Sequence, residues 1–412
     1  MSDNILETLE TEQRWRANPL AVHMRPFAIR LSGDGYARNT IQSKLWSLAD
    51  FGKWLRRRAF TVTNVDETLI GRFSNGRKGK RLHRGNVKTL TQFLDDLRRR
   101  RVVPQRKPIV DKSPTGKILS RYEKYLRSER GLSTSTVINY QPFIRKFLGE
   151  RFGGGPFLFR ELKPFDISGF ILRHAHTMSP KRAQGMTSAF RSFFRFLFGK
   201  GKLNTDLALS VPTVASWRLS TVPKYLVPEE VQRLLGACNR KTPAGRRDYA
   251  ILLLLARLGL RAGEVVALKL EDIDWRAGEI SVRGKGLFHD RMPLPPDVGE
   301  AIASYVRNDR PRCQSRQVFI CMKAPHRGFA GPSTLTTIVR RALGRADLHP
   351  VFKGAHLLRH SLATSMLRSG ATMSEIGEVL RHREPNTTEI YAKVDFNGLR
   401  SLAHPWPIGG GK

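Results

Sequence analysis

The sequence predicts a mainly α-helical protein with one small antiparallel β-sheet in its C-terminal domain. Apolar residues recur at helical spacing through most of the 412 residues, as they do in 87–97. A helical segment near the N-terminus is followed by a similar one, which indicates a duplicated helical module. The sheet is predicted from two short strands, 279–283 and 292–294, that flank Gly284-Lys285-Gly286.

Composition predicts a polyanionic partner. Lys and Arg number 72 against 35 Asp and Glu, which gives a formal net charge of +37. Nucleic acid is the favoured partner, because basic side chains that neutralise phosphates release counterions. A membrane surface is less favoured, because the basic residues are spread along the chain and form no long amphipathic basic helix.

The cysteines and the chain start predict a soluble cytoplasmic protein. Cys238, Cys313 and Cys321 are far apart and odd in number, so they form neither a disulfide framework nor a CxxC metal pair. The first residues lack the basic and apolar regions of a secretory signal. The most apolar run, 250–256, is too short to span a bilayer.

Four segments are predicted along the chain. Residues 1–108 form an N-terminal helical module, and 113–205 form a second one related to it by the repeat. Residues 206–223 read as a linker, and 224–412 form the last domain. The second module carries four phenylalanines that we interpret as core rather than as base-stacking groups, because they fall at helical spacing. These are Phe190, Phe193, Phe194 and Phe196.

Four consecutive arginines end the first module: Arg98, Arg99, Arg100 and Arg101. Prolines follow them in the chain. The run is interpreted either as a segment that touches a DNA backbone or as a solvated helix end, and the sequence leaves both open.

Arg261 is predicted to lie between two packed helices. One buried helix ends at Gly259, which can take the left-handed cap conformation, and Glu264 falls in the first turn of the next. An arginine held there can bind two phosphate oxygens, with Glu264 orienting its guanidinium. A purely structural ion pair is the alternative.

Lys285 is predicted at the tip of the hairpin. The flanking glycines let the backbone approach a ligand closely. A lysine in this position can protonate a leaving alkoxide, although hairpin tips are often simply basic and solvated.

His356 and Arg359 are one helical turn apart, so they can converge on one anion. His360 is interpreted as a packing or backbone-bonding residue. Metal binding by His356, His360 and His382 is disfavoured, because the Glu of the zinc-protease signature is missing and no acidic or Cys ligand is close by. The sequence therefore predicts no metal and no cofactor.

His382 and Tyr391 follow on two further helices. Residues 372–375 form a capping box, and His382 falls at the end of the helix that this box starts. Residues 386–389 give a second helix start, which places Tyr391 about one turn into a short helix. As a nucleophile Tyr391 would need a neighbouring base and a neutralised phosphate; half-buried packing is the alternative.

These residues, taken in order, resemble the catalytic signature of the tyrosine recombinase (phage integrase) family, over about 224–394. The set is Arg261, Lys285, His356-x-x-Arg359, His382 and Tyr391. Residues 118–203 are similar to the family's core-binding domain, which forms a clamp around DNA with the catalytic domain. The module 1–108 is an addition, and the tail 394–407 resembles that of transposon-borne members that occur in threes.

Two departures from the family pattern stand out. Many members have Leu-Gly-His where this chain has Leu380-Arg381-His382. Arg381 is predicted either to contact DNA or to alter the geometry of the site. The hairpin segment 288–290 is less basic than the family tends to be.

The resemblance implies a covalent mechanism. Tyr391 would attack a DNA phosphate, form a 3′-phosphotyrosyl bond and free a 5′-hydroxyl, with neither metal nor ATP. His356 would accept the tyrosine proton, and Lys285 would protonate the leaving oxygen. Arg261 and Arg359 would hold the non-bridging oxygens.

The remaining implications concern supporting residues and partners. His382 would hydrogen-bond the phosphate, and Glu264 would support the site. The partner would be double-stranded DNA, bound by a homo-tetramer or by an assembly with sibling recombinases. The alternatives are a nicking-and-sealing topoisomerase, a catalytically silent DNA-binding regulator of the same fold, and a basic structural protein of the nucleoid.

Overall fold

The computed structural model describes residues 18–76, 84–106, 111–215, 222–284, 289–384, 387–394 and 400. Within these ranges the protein is mainly helical with one three-stranded sheet, as the sequence predicts. The chain divides into two compact units, Lys107–Thr221 and a larger one made of Met1–Arg106 with Val222–Lys412. None of the described helices is long and apolar enough to cross a membrane.

Where the structure describes it, the N-terminal part of the larger unit contains four α-helices around a core of its own. They are α1 (Ala21–Gly33), α2 (Arg38–Arg57), α3 (Glu67–Asn75) and α4 (Arg84–Arg99). Gly35 has φ +83° just before α2, a conformation that glycine adopts at little cost. Asp66 caps α3 by accepting a hydrogen bond from the Leu69 backbone N–H at 2.8 Å.

The smaller unit repeats this order with α5 (Pro114–Lys124), α6 (Thr134–Phe152), α7 (Pro164–Ala175) and α8 (Pro180–Gly199). Gly131, at φ +60°, precedes α6 as Gly35 precedes α2. The four phenylalanines interpreted as core all lie in α8 and are buried, which confirms them as core, whereas the fifth phenylalanine of α8, Phe198, is 45% exposed. Leu207, Ala208 and Val211 join this core, so the first part of the predicted linker is packed rather than free.

The C-terminal part of the larger unit carries the sheet and seven helices among its described residues. The helices are α9 (Pro228–Gly236), α10 (Pro243–Arg257), α11 (Ala262–Ala267), α12 (Pro296–Asn308), α13 (Ser333–Arg345), α14 (His356–Arg368) and α15 (Met373–Val379). A 3₁₀ helix, Glu389–Val394, follows them.

The sheet is antiparallel, in the order β1 (Ile273–Asp274), β2 (Glu279–Arg283) and β3 (His289–Pro293). Ser281 pairs with Arg291 at the centre of the β2–β3 hairpin. The two-residue β1 was not anticipated from the sequence. Its neighbour β2 buries Ile280 and Val282 in the domain core and so fixes the hairpin against the helices.

The buried helix α10 positions the site. Its apolar stretch from Ala250 to Leu255 is at most 1% exposed, so its end is held firmly in the core. Gly259 follows with φ +56°, and a Cβ placed there would lie 2.7 Å from Leu380 Cδ2. This close approach joins the end of α10 to the end of α15.

Candidate active site

Arg359 lies at the centre of the site, buried on α14 with 4% of its surface exposed. Its guanidinium donates hydrogen bonds to the backbone carbonyls of Gly259 and Leu380. Among the described residues, no carboxylate forms an ion pair with it. Burial, reinforced by the charge of Arg261, lowers the pKa of Arg359 to about 10, so it remains a cation at neutral pH. A buried cation without a carboxylate partner suits an anionic ligand.

Arg261 is the N-cap residue of α11 and is held by Glu264. Glu264 Oε1 accepts a hydrogen bond from Arg261 Nη1 at 2.8 Å, and Oε2 accepts one from the Arg261 backbone N–H at 2.8 Å. The Glu264 side chain is 6% exposed, whereas that of Arg261 is 41% exposed. The carboxylate therefore anchors the arginine, and part of the guanidinium remains open to a ligand.

Of the predicted site residues that the structure describes, Tyr391 is the most deeply buried, at 1% exposed. Its hydroxyl lies 2.9 Å from His360 Nδ1. Burial raises the pKa of Tyr391 to about 12, and it lowers the pKa of His360 to about 4. At neutral pH both groups are therefore uncharged, and the two atoms share a neutral hydrogen bond.

This contact corrects the sequence interpretation of His360. A packing or backbone-bonding role was expected, but its ring bonds the phenolic hydroxyl of Tyr391. The two residues are separated by 31 positions. The only local signal is that His360 follows Arg359 directly and lies one helical turn after His356.

His356 and His382 lie on different elements around Arg359. His356 is the first residue of α14 and is exposed. Its ring and that of His360 are 6.4 Å apart between centroids. His382 follows α15, and its Nδ1 lies 2.8 Å from Thr388 Oγ1. Partial desolvation by the surrounding protein, then the charges of Arg359 and Arg261, lowers the pKa of both imidazoles, to about 4 for His382.

Lys285 lies outside the described residues. The strands on either side of it, β2 and β3, are described and pair in register from Glu279 with Pro293 to Arg283 with His289. The lysine therefore remains a sequence prediction.

Arg381 has an unusual backbone and a paired side chain. Its φ is +53°, a conformation that favours glycine. The side chain is 11% exposed, and its Nη2 donates to Glu264 Oε2 at 2.7 Å. Its Nε lies 3.7 Å from Asp290 Oδ2 on β3. The charge is therefore turned into the site rather than presented at the surface.

The four arginines that end the first module differ in their surroundings. Arg98 donates two hydrogen bonds to Glu67, each 2.8 Å long, and is 11% exposed. Arg100 pairs with Asp96 at 2.9 Å. Arg99 has a 59% exposed side chain, and Arg101 is also exposed. Arg99 and Arg101 are thus the better placed for a DNA phosphate.

The arrangement can hold a phosphate diester and attack it. Arg261, Arg359 and Arg381 bring three positive charges against the buried carboxylate of Glu264, so the site favours an anion. The phenol of Tyr391 is close enough for the Arg359 charge to act on its pKa. Within the described ranges, no group of three or more His, Cys, Asp or Glu is arranged to hold a metal ion.

Family models match two parts of the chain. The model described as Phage integrase family matches residues 224–397. The model described as Phage integrase, N-terminal SAM-like domain, matches residues 119–201. Together they span the second helical module and the domain that carries the site.

Relatives and solved structures agree with the models. The chain is 44% identical to the integrase/recombinase y4rA of Sinorhizobium fredii, over 94% of this chain and 95% of that one. It is 33% identical to the tyrosine recombinase XerC of Shewanella amazonensis, over 70% of this chain and 95% of that one. The fold is similar to XerH bound to palindromic difH, with 18% identity, a TM-score of 0.56, and coverage of 69% of this chain and 83% of that one. It is also similar to a lambda integrase dimer bound to a COC′ core site, with 19% identity, a TM-score of 0.53, and coverage of 72% and 99%. The chain belongs to the phage integrase family of tyrosine recombinases.

Proposed function

We propose that this protein is a site-specific DNA recombinase that breaks and rejoins strands through a phosphotyrosyl intermediate on Tyr391. The observation that carries the proposal is the placement of a buried phenol beside Arg359. Three separate elements contribute to this arrangement: the 3₁₀ helix, α14 and the end of α10. A protein–DNA ester conserves the energy of the broken bond, so religation needs no ATP.

Two arginines neutralise the phosphate in this mechanism. Arg359 has five N–H donors and gives two hydrogen bonds to carbonyls, which leaves donors for a non-bridging oxygen. Arg261, anchored by Glu264 and partly open, binds the other oxygen. Donors fixed before the reaction stabilise the charge that develops in the transition state.

The histidines handle protons and hydrogen bonds. We assign His382 the neutral tautomer in which Nδ1 accepts from Thr388 Oγ1, 2.8 Å away, so that its Nε2–H donates a hydrogen bond to the phosphate. His356, exposed on the same helix as Arg359, accepts the tyrosine proton. His360 holds the phenol in place before the reaction. Lys285 protonates the 5′-oxygen as it leaves.

The family and the charge of the chain support a DNA partner and a multimeric assembly as parts of the proposal. The net charge of +37 suits a long duplex. A structural neighbour is a lambda integrase tetramer bound to a Holliday junction. We extend that state to this chain, as a homo-tetramer or an assembly with sibling recombinases on two duplexes. The proposal includes a location: a recombinase that acts on genomic DNA would work in the cytoplasm, at the nucleoid. Flanking repeats or sibling genes beside its own gene would identify a transposon-borne member.

The test is selection of a target duplex by covalent capture. Random duplexes are incubated with the protein, and those that remain attached after SDS denaturation are sequenced. A recurring sequence, captured by the wild type and not by Tyr391→Phe, supports the proposal. Relaxation of supercoiled plasmids that lack this sequence would instead indicate a topoisomerase. DNA binding without any adduct would indicate a silent regulator or a structural protein.

A further inference from the structure

Arg381 occupies a backbone position that would suit glycine. Its φ of +53° lies in the left-handed region, which costs a residue with a side chain more than it costs glycine. A residue kept there against this cost is expected to gain something from its side chain. The contacts of Arg381 show what that is.

The guanidinium of Arg381 joins two parts of the domain that carry the site. On one side it donates to Glu264 Oε2 at 2.7 Å. On the other it reaches β3, with Nη1 lying 2.8 Å from Met292 Sδ and Nε lying 3.7 Å from Asp290 Oδ2. Its own carbonyl lies 3.4 Å from Arg261 Nη2.

Glu264 is therefore shared between two arginines. Oε1 bonds Arg261, and Oε2 bonds the Arg261 backbone N–H and Arg381. Because the carboxylate is only 6% exposed, water contributes little to its orientation. The hydrogen bond from Arg381 restricts the carboxylate, and the carboxylate in turn restricts the guanidinium of Arg261.

We infer that Arg381 is a positioning residue that fixes Arg261 through Glu264 and ties both to the hairpin strand β3. The inference rests on the proposed function of Arg261 as a phosphate clamp. It also accounts for Asp290, the acidic residue in the less basic hairpin segment, as the partner of Arg381 on β3. Asp290 is 46% exposed, and its Oδ2 lies 3.7 Å from Arg381 Nε. It therefore restrains Arg381 less than Glu264 does.

Arg381→Gly is the variant that tests this role. Glycine suits the positive φ, so the variant is expected to fold with a melting temperature close to that of the wild type. Adduct formation on the selected duplex is expected to fall about 10-fold or more, since small misplacements of a catalytic group cost up to about 100-fold. Asp290→Asn should give a smaller fall in the same direction. Arg368→Ala, which removes an arginine that contacts Tyr225 rather than Glu264, is the matched control and should react as the wild type does.

A second substrate separates positioning from a general structural role. In a methylphosphonate duplex, a methyl group replaces one non-bridging oxygen and removes the charge that the arginines neutralise. If Arg381 acts through Arg261, the defects of Arg381→Gly and Arg261→Ala should shrink together on this substrate.

Two results would overturn the inference. In the first, Arg381→Gly forms the adduct at the wild-type rate while Arg261→Ala is defective. In the second, the defect of Arg381→Gly is equally large on the natural duplex and on the methylphosphonate duplex. Either outcome removes the role of Arg381 and leaves the proposed clamp intact. An Arg261→Ala variant that reacts normally would remove the clamp itself, and the inference with it.

Discussion

Replacement of His360 by alanine removes the hydrogen-bond partner of the Tyr391 hydroxyl. That hydroxyl belongs to a side chain only 1% exposed, so water cannot readily take the place of the imidazole. Nδ1 lies 2.9 Å from the phenolic oxygen, and both groups are neutral at pH 7, given pKa values of about 4 and about 12. The contact is thus a neutral hydrogen bond.

The size of the effect follows from this geometry. A buried hydroxyl left without a partner costs about 1–3 kcal/mol of unfolding free energy, to which the lost packing of the imidazole adds. Tyr391→Phe removes the other half of the contact. A double-mutant cycle of His360→Ala with Tyr391→Phe should give a coupling energy of about 1 kcal/mol by urea denaturation. A coupling near zero would refute the hydrogen bond.

The same variant tests which histidine takes the tyrosine proton. If His360 is a positioning residue, His360→Ala should lower the single-turnover rate of adduct formation by about 10-fold. The shape of the pH profile should stay unchanged. His356→Ala should instead lower the rate by about 100-fold or more at pH 7, with recovery at higher pH as hydroxide replaces the base. If His360→Ala shows the pH-dependent recovery and His356→Ala does not, the two roles are reversed.

Three further predictions concern the frame of the site, each measured by urea denaturation. Gly259→Ala should lower the free energy of unfolding by about 2 kcal/mol, because φ is +56° and the new Cβ meets Leu380. An unchanged urea midpoint would contradict this. Arg359→Lys should lower the free energy of unfolding by about 2 kcal/mol, since one ammonium cannot bridge the carbonyls of Gly259 and Leu380. A variant as stable as the wild type would show that this bridge is unimportant. The pKa values of His360 and His382, lowered to about 4 by burial, mean that the folded state binds fewer protons than the unfolded state. Stability should therefore fall as pH drops from about 6.5 to 4, by up to about 1 kcal/mol per pH unit for each ring. The stability of His360→Gln should fall less steeply as the pH drops. A slope equal to that of the wild type would contradict the lowered pKa of His360.

Local signals in the sequence explain why much of this architecture was predictable. The capping box of α15 is present, with Glu375 N–H donating to Thr372 Oγ1 at 3.2 Å. Gly259 ends its helix in the left-handed conformation, as expected. The Arg261–Glu264 pair was predictable because its members are three residues apart.

The contacts that were missed join residues distant in sequence. Arg381 and Glu264 are 117 positions apart, so no spacing rule connects them. His360 faces Tyr391 only because the 3₁₀ helix packs against α14, which a helical pattern does not reveal. The strand β1, with two residues, is too short to show an alternating pattern.

The most direct test of the central claim is to locate the covalent bond. The adduct of the wild-type protein with the selected duplex is digested with protease and nuclease, and the nucleotide-bearing peptide is sequenced by mass spectrometry. The mechanism predicts a 3′-phosphate ester on Tyr391 and a free 5′-hydroxyl on the cleaved strand. An ester on another residue, or an adduct that persists in Tyr391→Phe, would contradict it.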